Sequence, residues 1–346
     1  MLHHERLRPP SNDYPADEWN VIEKAFRPEF LAQLETMLAV GNGYLGMRGC
    51  PEEGGPNAEN GTFINGFYET WPIVYGEEAF GFAKTGQTIC NVTDSKIIKL
   101  FVDDEPFWLP NAQLLNYDRR LNMRAGTLDR DVLWETPIGK RVSITSRRLV
   151  SFVNRHVAAI SYCVTLVDAR ASVVISSEMS TNKPSARNNQ QDPRLAKAFP
   201  ERVLQPRTNY FKDRRIVLCH ATEKSRLTLV CATDHKLEVT GPHSHKVVST
   251  PDFGQAAFTI DAEPGRPIQL TKYIVYHTSH TASSEELCGR ADWTLDRVVT
   301  QGFEALLASQ EQYMEDFWPF EGMYTSETAA HRSRYPKSSV PHRLDR

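Results

Sequence analysis

The 346-residue sequence has no apolar run near the eighteen or so residues of a membrane span, and no charged-then-apolar leader at its Met1-Leu2-His3-His4 start. Neither a membrane partner nor secretion is implied, and a cytoplasmic home is expected. Basic surplus is also lacking: Lys+Arg 40 against Asp+Glu 43 leaves a net charge of −3, which argues against a nucleic-acid partner. The six cysteines (Cys50, Cys90, Cys163, Cys219, Cys231, Cys288) include no C-x-x-C pair, and several fall in apolar runs where a thiol acts as a small hydrophobe. They are read as free and structural. The sequons at Asn60 and Asn91 are then chance matches.

What is present is a glycine-dense stretch, residues 38–49, with Gly41, Gly43, Gly46 and Gly49 between apolar neighbours and Arg48 near its end. It lacks the G-x-x-x-x-G-K-[ST] order of a phosphate cradle. Gly41-x-Gly43-x-x-Gly46 follows a helix-like segment, whereas a dinucleotide fingerprint follows a strand. A tight turn feeding the first core strand is the expectation, with Arg48 as a buried, paired charge that orients it.

Residues 1–16 are polar and Pro-rich, an arm ahead of the fold. A short strand, a turn and a short helix-like segment are expected over 19–39, then an acidic Gly/Pro/Asn loop over 51–61 that runs on the surface. β-branched and aromatic runs follow at 62–68, 95–102, 141–150, 157–167, 171–177, 215–220, 227–232, 236–240, 256–260 and 268–276. Hairpin turns fit at Asp103-Asp104 and at 137–140. Short strands at this spacing imply a mainly β chain of two large antiparallel sheets packed face to face. A polar interval over 181–208 interrupts them. Helical periodicity enters only late: Ser283 can cap a short helix, and apolar residues recur every three to four positions over 294–318 until Pro319. Beyond it the sequence is aperiodic and a disordered tail is expected.

Tempting constellations have plainer readings. His243-Ser244-His245, in a Gly-Pro loop, has no carboxylate or thiol spaced to complete a metal site, so no metal is expected. Adjacent acids at Glu52-Glu53, Glu77-Glu78 and Asp103-Asp104 point different ways and read as charged turns. Ser151 and His156 sit on no nucleophile elbow and have core or edge roles. Tyr68, Trp71 and Tyr75, near Phe67, have apolar faces suited to stacking on a sugar, or to core and interface packing.

In order, the residues Trp19, 35–49 (Glu-Thr-Met-Leu-Ala-Val-Gly-Asn-Gly-Tyr-Leu-Gly-Met-Arg-Gly), Gly66-Phe67-Tyr68, 72–75 (Pro-Ile-Val-Tyr), 121–130 and 148–152 resemble the N-terminal domain of glycoside hydrolase family 65, over about 17–318. Asn122 departs from the pattern, which usually has Asp there. The family holds maltose, trehalose and kojibiose phosphorylases and related α-glucoside hydrolases. The resemblance implies a galactose mutarotase-like β-supersandwich (17–280), a helical linker (281–318) and a tail (319–346) standing where the family continues into an (α/α)6 barrel. With that barrel absent, a frameshift or premature stop is implied. The family's inverting chemistry, with a glutamate acid and either phosphate or activated water on the opposite ring face, belongs to the barrel, so no catalytic residue is carried over and the chain is expected to be inactive alone. Inorganic phosphate is then a co-substrate of a phosphorylase parent, with no other cofactor. An α-linked glucose disaccharide, the barrel and a second copy are the implied partners. Arg48, Tyr68, Trp71 and Tyr75 are candidate carbohydrate or barrel contacts. A stand-alone carbohydrate-binding or interaction module is the alternative.

Overall fold

A computed structural model describes residues 8–73, 75–77, 79–181 and 202–322. Strand β1 (Asn20–Glu23) leads through a 3-10 turn (Pro28–Phe30) into helix α1 (Leu31–Met37). The glycine stretch follows as β2 (Val40–Gly41) and β3 (Leu45–Met47), with β4 (Thr62–Ile64) beside them. β5 (Tyr68–Pro72) and β6 (Thr85–Ile89) form a separate ribbon, and β7 (Ile98–Val102) turns into β8 (Glu105–Pro106). The long strands come next: β9 (Gln113–Asn122), β10 (Thr127–Glu135), β11 (Arg141–Val150), β12 (Val157–Leu166) and β13 (Ala171–Ser180). The series resumes with β14 (Leu204–Lys212), β15 (Arg215–Thr222), β16 (Thr228–Glu238), β17 (His243–Ser249), β18 (Phe253–Ala262) and β19 (Pro267–Ser279).

Two antiparallel sheets dominate: nine strands in the order β1-β9-β10-β11-β12-β19-β16-β15-β14, and five in the order β17-β18-β13-β7-β8. Their inner faces share one apolar core. Val132, Ile144, Ile160 and Ile274 of the larger sheet meet Leu100, Ile175 and Phe258 of the smaller in a single buried cluster. Alternate residues along each strand point inward, so each β-branched run contributes half its residues to this layer. The chain is thus mainly β, as expected, with two dominant antiparallel sheets accompanied by a small three-stranded sheet, β2-β3-β4, and the β5–β6 ribbon.

Helices α2 (Ser284–Gln301) and α3 (Phe303–Gly322) follow the last strand. Ser283 caps α2, its hydroxyl accepting from the Glu286 N–H at 3.1 Å. Leu287, Ala291, Leu295 and Val298 of α2 and Leu306 of α3 pack on Leu149, Val157, Val217, Val230 and Val275, forming a second core on the outer face of the larger sheet.

Several expectations are corrected. Runs 227–232 and 236–240 form one strand, β16, and run 62–68 divides into β4 and β5 at Gly66. The sequence from 294 to 318 is not one helix, because Gly302, at φ 82° and ψ 163°, separates α2 from α3. His243 and His245 lie on edge strand β17 rather than in a loop. β9 and β10 carry too many Asp, Arg and Asn to read as strands by propensity. The acidic stretch after Pro51 does not stay on the surface: Glu52 and Glu53 are 1% and 2% exposed. The expected arm, polar interval and tail fall wholly or partly outside the described residues: 1–7, 182–201 and 323–346 lie beyond them.

Candidate functional site

The glycine hairpin delivers the next residues into the larger sheet. Gly49 lacks a Cβ where one would lie 2.6 Å from the Leu38 Cβ, so only glycine lets these two segments touch. Its carbonyl accepts from Arg119, while Arg148 donates to the Arg48 carbonyl at 3.2 Å and the Cys50 carbonyl at 3.0 Å. Glu52 follows, 2.6 Å from Arg148 and 3.3 Å from Arg130. Arg130 holds Glu53 bidentately at 2.9 and 2.7 Å. Burial pushes the Glu52 carboxyl up, but Arg130 and then Arg148 outweigh it and hold the group at about 2. Glu23 completes the cluster, accepting from Tyr117 at 3.1 Å; burial raises its carboxyl despite Arg119 nearby. These charges are sealed between the sheets, and their chemistry is structural: they fix where the loop enters.

Arg48 lies on the other side of this hairpin. Its guanidinium is 3.3 Å from Glu35 and donates to the Ala32 carbonyl at 3.0 Å. Glu35, fully buried, also accepts from the Ala58 and Glu59 N–H groups at 2.8 and 3.2 Å.

The three candidate aromatics line up along the β5–β6 ribbon. Tyr68 packs on the main core. Trp71 lies over Gly86, where a Cβ would come within 2.5 Å of the ring, and donates to the Thr88 hydroxyl at 3.0 Å. Tyr75, 40% exposed, meets Phe82 at 4.9 Å. Among the described residues, no hydrogen bond, ion pair or ring contact joins Arg48 to any of the three. The four candidates therefore form a ribbon surface and a separate ion pair. Glu69, which sequence reasoning passed over, anchors the ribbon's base by accepting from the N–H groups of Thr70, Glu223, Lys224 and Ser225 at 2.7–3.1 Å. Burial opposes this charge, but the four donors win and lower its carboxyl.

A polar groove of about 540 Å³ opens on the outer face of the larger sheet, beside the start of α3. Asp118, Arg120, Asp129, Asp131, Thr145 and Arg147 line it, with Phe303 and Glu304. Much of its charge is internally matched: Arg147 is 2.7 Å from Asp129, and both Arg120 and Lys24 pair with Asp118. Asn122, also on the lining, accepts from the Arg124 and Ala125 N–H groups at 3.0 and 3.2 Å. That is an acceptor's role, which its amide oxygen fills as well as a carboxylate would. No helix among the described residues is long and apolar enough to cross a membrane. The six cysteines are all free, and five of them are buried.

The chain is a face-to-face antiparallel β-sandwich with two helices packed on the outer face of its larger sheet. The model of "Glycosyl hydrolase family 65, N-terminal domain" matches residues 21–317, and the chain belongs to that family. An uncharacterized glycosyl hydrolase of Mycobacterium tuberculosis is 36% identical over 305 residues, 88% of this chain and 38% of that protein. The alpha,alpha-trehalose phosphorylase of Thermoanaerobacter brockii is 35% identical over 309 residues, 88% of this chain and 40% of its own. A solved structure from the human microbiome, provisionally described as a kojibiose phosphorylase, shares the fold at TM-score 0.77 and 16% identity over 90% of this chain and 39% of that one. The chain thus spans about two-fifths of the length of these relatives.

Proposed function

We propose that this chain is the non-catalytic N-terminal domain of a family 65 phosphorylase or hydrolase acting on α-glucosidic disaccharides in carbohydrate metabolism, with the chemistry performed by a separate catalytic domain. The observation that carries this reading is an apolar surface on α3. Tyr313 and Phe317 are 42% and 43% exposed, Phe152 stacks on Tyr313 at 4.8 Å, and the neighbouring Val153 is 57% exposed. Contiguous apolar surface of this kind is what a domain boundary leaves bare. The length of the relatives supplies the occupant: the part of each that this chain does not span.

The carboxylates support the same division of labour. Inverting glycoside cleavage needs an acid and a second group about 6.5–9.5 Å apart across a sugar. Here Glu35, Glu52, Glu53 and Glu69 are all buried and engaged by arginines or backbone N–H groups; in the groove Asp118 and Asp129 are taken up by ion pairs, which leaves Asp131 and Glu304 as its other carboxylates. With the purified chain, trehalose, kojibiose or maltose plus inorganic phosphate is expected to release no β-glucose 1-phosphate. Steady turnover in that assay would overturn the proposal.

A further inference from the structure

Where the glycine hairpin, the β11–β12 turn, the end of β19 and helix α2 meet, the side chains are almost all cationic or hydroxylic. We propose that this junction is an anion site that takes a phosphate group, as inorganic phosphate or as the monoester of a sugar.

Its geometry starts from two stacked imidazoles. His156 and His277 lie 4.2 Å apart at 24° between their planes. His156 Nδ1 meets the Tyr276 carbonyl at 3.0 Å, which makes Nδ1 the protonated nitrogen and leaves Nε2 with a lone pair. His277 Nε2 lies 3.0 Å from the Thr294 hydroxyl on α2. Tyr44, from the glycine hairpin, stands edge-on to His156 at 4.6 Å, its hydroxyl 3.3 Å from that of Thr278. Arg155 stacks over Tyr44 at 4.6 Å. Asn42 fixes this corner, donating to the Ser151 and Arg155 carbonyls at 2.6 and 3.0 Å.

The charge balance around these rings is one-sided. Arg155 has no carboxylate partner among the described residues; its guanidinium rests on Tyr44. Arg297 reaches only the amide oxygen of Asn154, at 3.4 Å. Arg290 pairs with Glu286 at 2.5 Å, the one carboxylate among these contacts. Three arginines against one glutamate leave a surplus of two positive charges among these contacts, before either ring is counted. Burial is the largest cause lowering both imidazoles; Arg155 and Arg297 add to it at His156, and His156 followed by Arg290, Arg155 and Arg297 adds to it at His277, which is pushed to about 4. Among the described residues, neither ring is hydrogen-bonded to a carboxylate.

The three arginines are exposed while the two rings beneath them are half-buried, and like charges gathered in this way repel unless a counter-charge is bound. A dianion fits that requirement: the arginines can donate charge-assisted hydrogen bonds and the Thr278 hydroxyl a neutral one, while the Thr294 hydroxyl already donates to the Arg290 carbonyl at 2.8 Å. The imidazoles can then take up protons that the empty site refuses.

The test uses the full chain at fixed ionic strength, with chloride replaced by inorganic phosphate or by glucose 1-phosphate. Both the thermal midpoint and the histidine ring-proton titration are followed. The expected result is a rise in the midpoint and a rise of the His277 pKa above about 4, in phosphate but not in chloride. Arg155→Gln and Arg297→Gln each weaken the effect about tenfold or more, the worth of a charged hydrogen bond. Arg170→Gln, an exposed cation paired with Glu263 elsewhere, leaves it unchanged. A midpoint that responds to phosphate no more than to chloride, or Arg155→Gln and Arg297→Gln proteins that respond like the parent, would sink the proposal. Tighter binding of glucose 1-phosphate assigns the site to a sugar monoester; equal binding assigns it to the phosphate group alone.

Discussion

At the scale of single residues, buried charge is the dominant theme. Replacing Arg130 by Met removes the bidentate partner of Glu53 and one of the two cations on Glu52, leaving buried carboxylates short of counter-charge. Breaking such a pair costs about 3–5 kcal/mol, so the denaturant midpoint should fall steeply while the β signature of the folded state persists. An unchanged midpoint would mean the cluster contributes little. Two histidines set the acid limit. Burial, then Lys272, pushes His235 to about 3, and burial, then His156, pushes His277 to about 4. Both folded-state values lie below the usual 6.5, so the unfolded chain binds protons that the folded chain refuses. Their contribution is complete above pH 6.5 and erodes as pH falls towards about 4 for His277 and about 3 for His235, by at most about 1.4 kcal/mol per pH unit for each ring. Thermal midpoints at pH 7.5, 6 and 5 should decline in that order; a flat profile would contradict this account. None of this was legible in the sequence. Glu52-Glu53 reads as a charged turn because its partners, Arg130 and Arg148, lie about 80–100 residues away and become neighbours only when the sheet forms.

At the scale of elements, the sequence located β11, β12, β13 and β19 because their β-branched alternation suffices to specify half-buried strands. It missed β9 and β10, where Arg119, Arg130 and Asp118 occupy sites that propensity reserves for apolar residues. It also merged two helices into one. The separator, Gly302, sits at φ 82° and ψ 163°, a region open in practice only to glycine. A Cβ there would meet nothing within 4 Å, so Gly302→Ala isolates the backbone effect from any clash. The expected cost is about 1–3 kcal/mol, read as a lower midpoint, with hydrogen exchange quickening first at the α2–α3 junction. Equal stability of the two proteins would show that the junction relaxes without strain.

At the scale of the whole molecule, the exposed aromatics of α3 give the proposed function a physical readout. A surface built to be covered binds a hydrophobic dye when bare. Tyr313→Ser with Phe317→Ser is expected to reduce dye fluorescence severalfold while shifting the midpoint little, because both rings are about two-fifths exposed. Undiminished fluorescence would locate the sticky surface elsewhere; the ribbon, with Phe80 fully exposed and Phe82 half exposed, is the next place to look.

The sequence by itself determined the class. Period-two alternation, a capped amphipathic segment at the end and the glycine stretch specify a mainly β sandwich with a helical extension, because these are local signals that each segment carries alone. Tertiary structure decided everything that depends on residues far apart. It buried the acidic loop under three arginines, separated Arg48 from the ribbon aromatics, and stacked His156 on His277, 121 positions further along the chain, beneath a crown of cations. Charges and rings carry no pattern that names their partners. Which of them meet is settled only by the register of the nine-stranded sheet and by the helices laid across it.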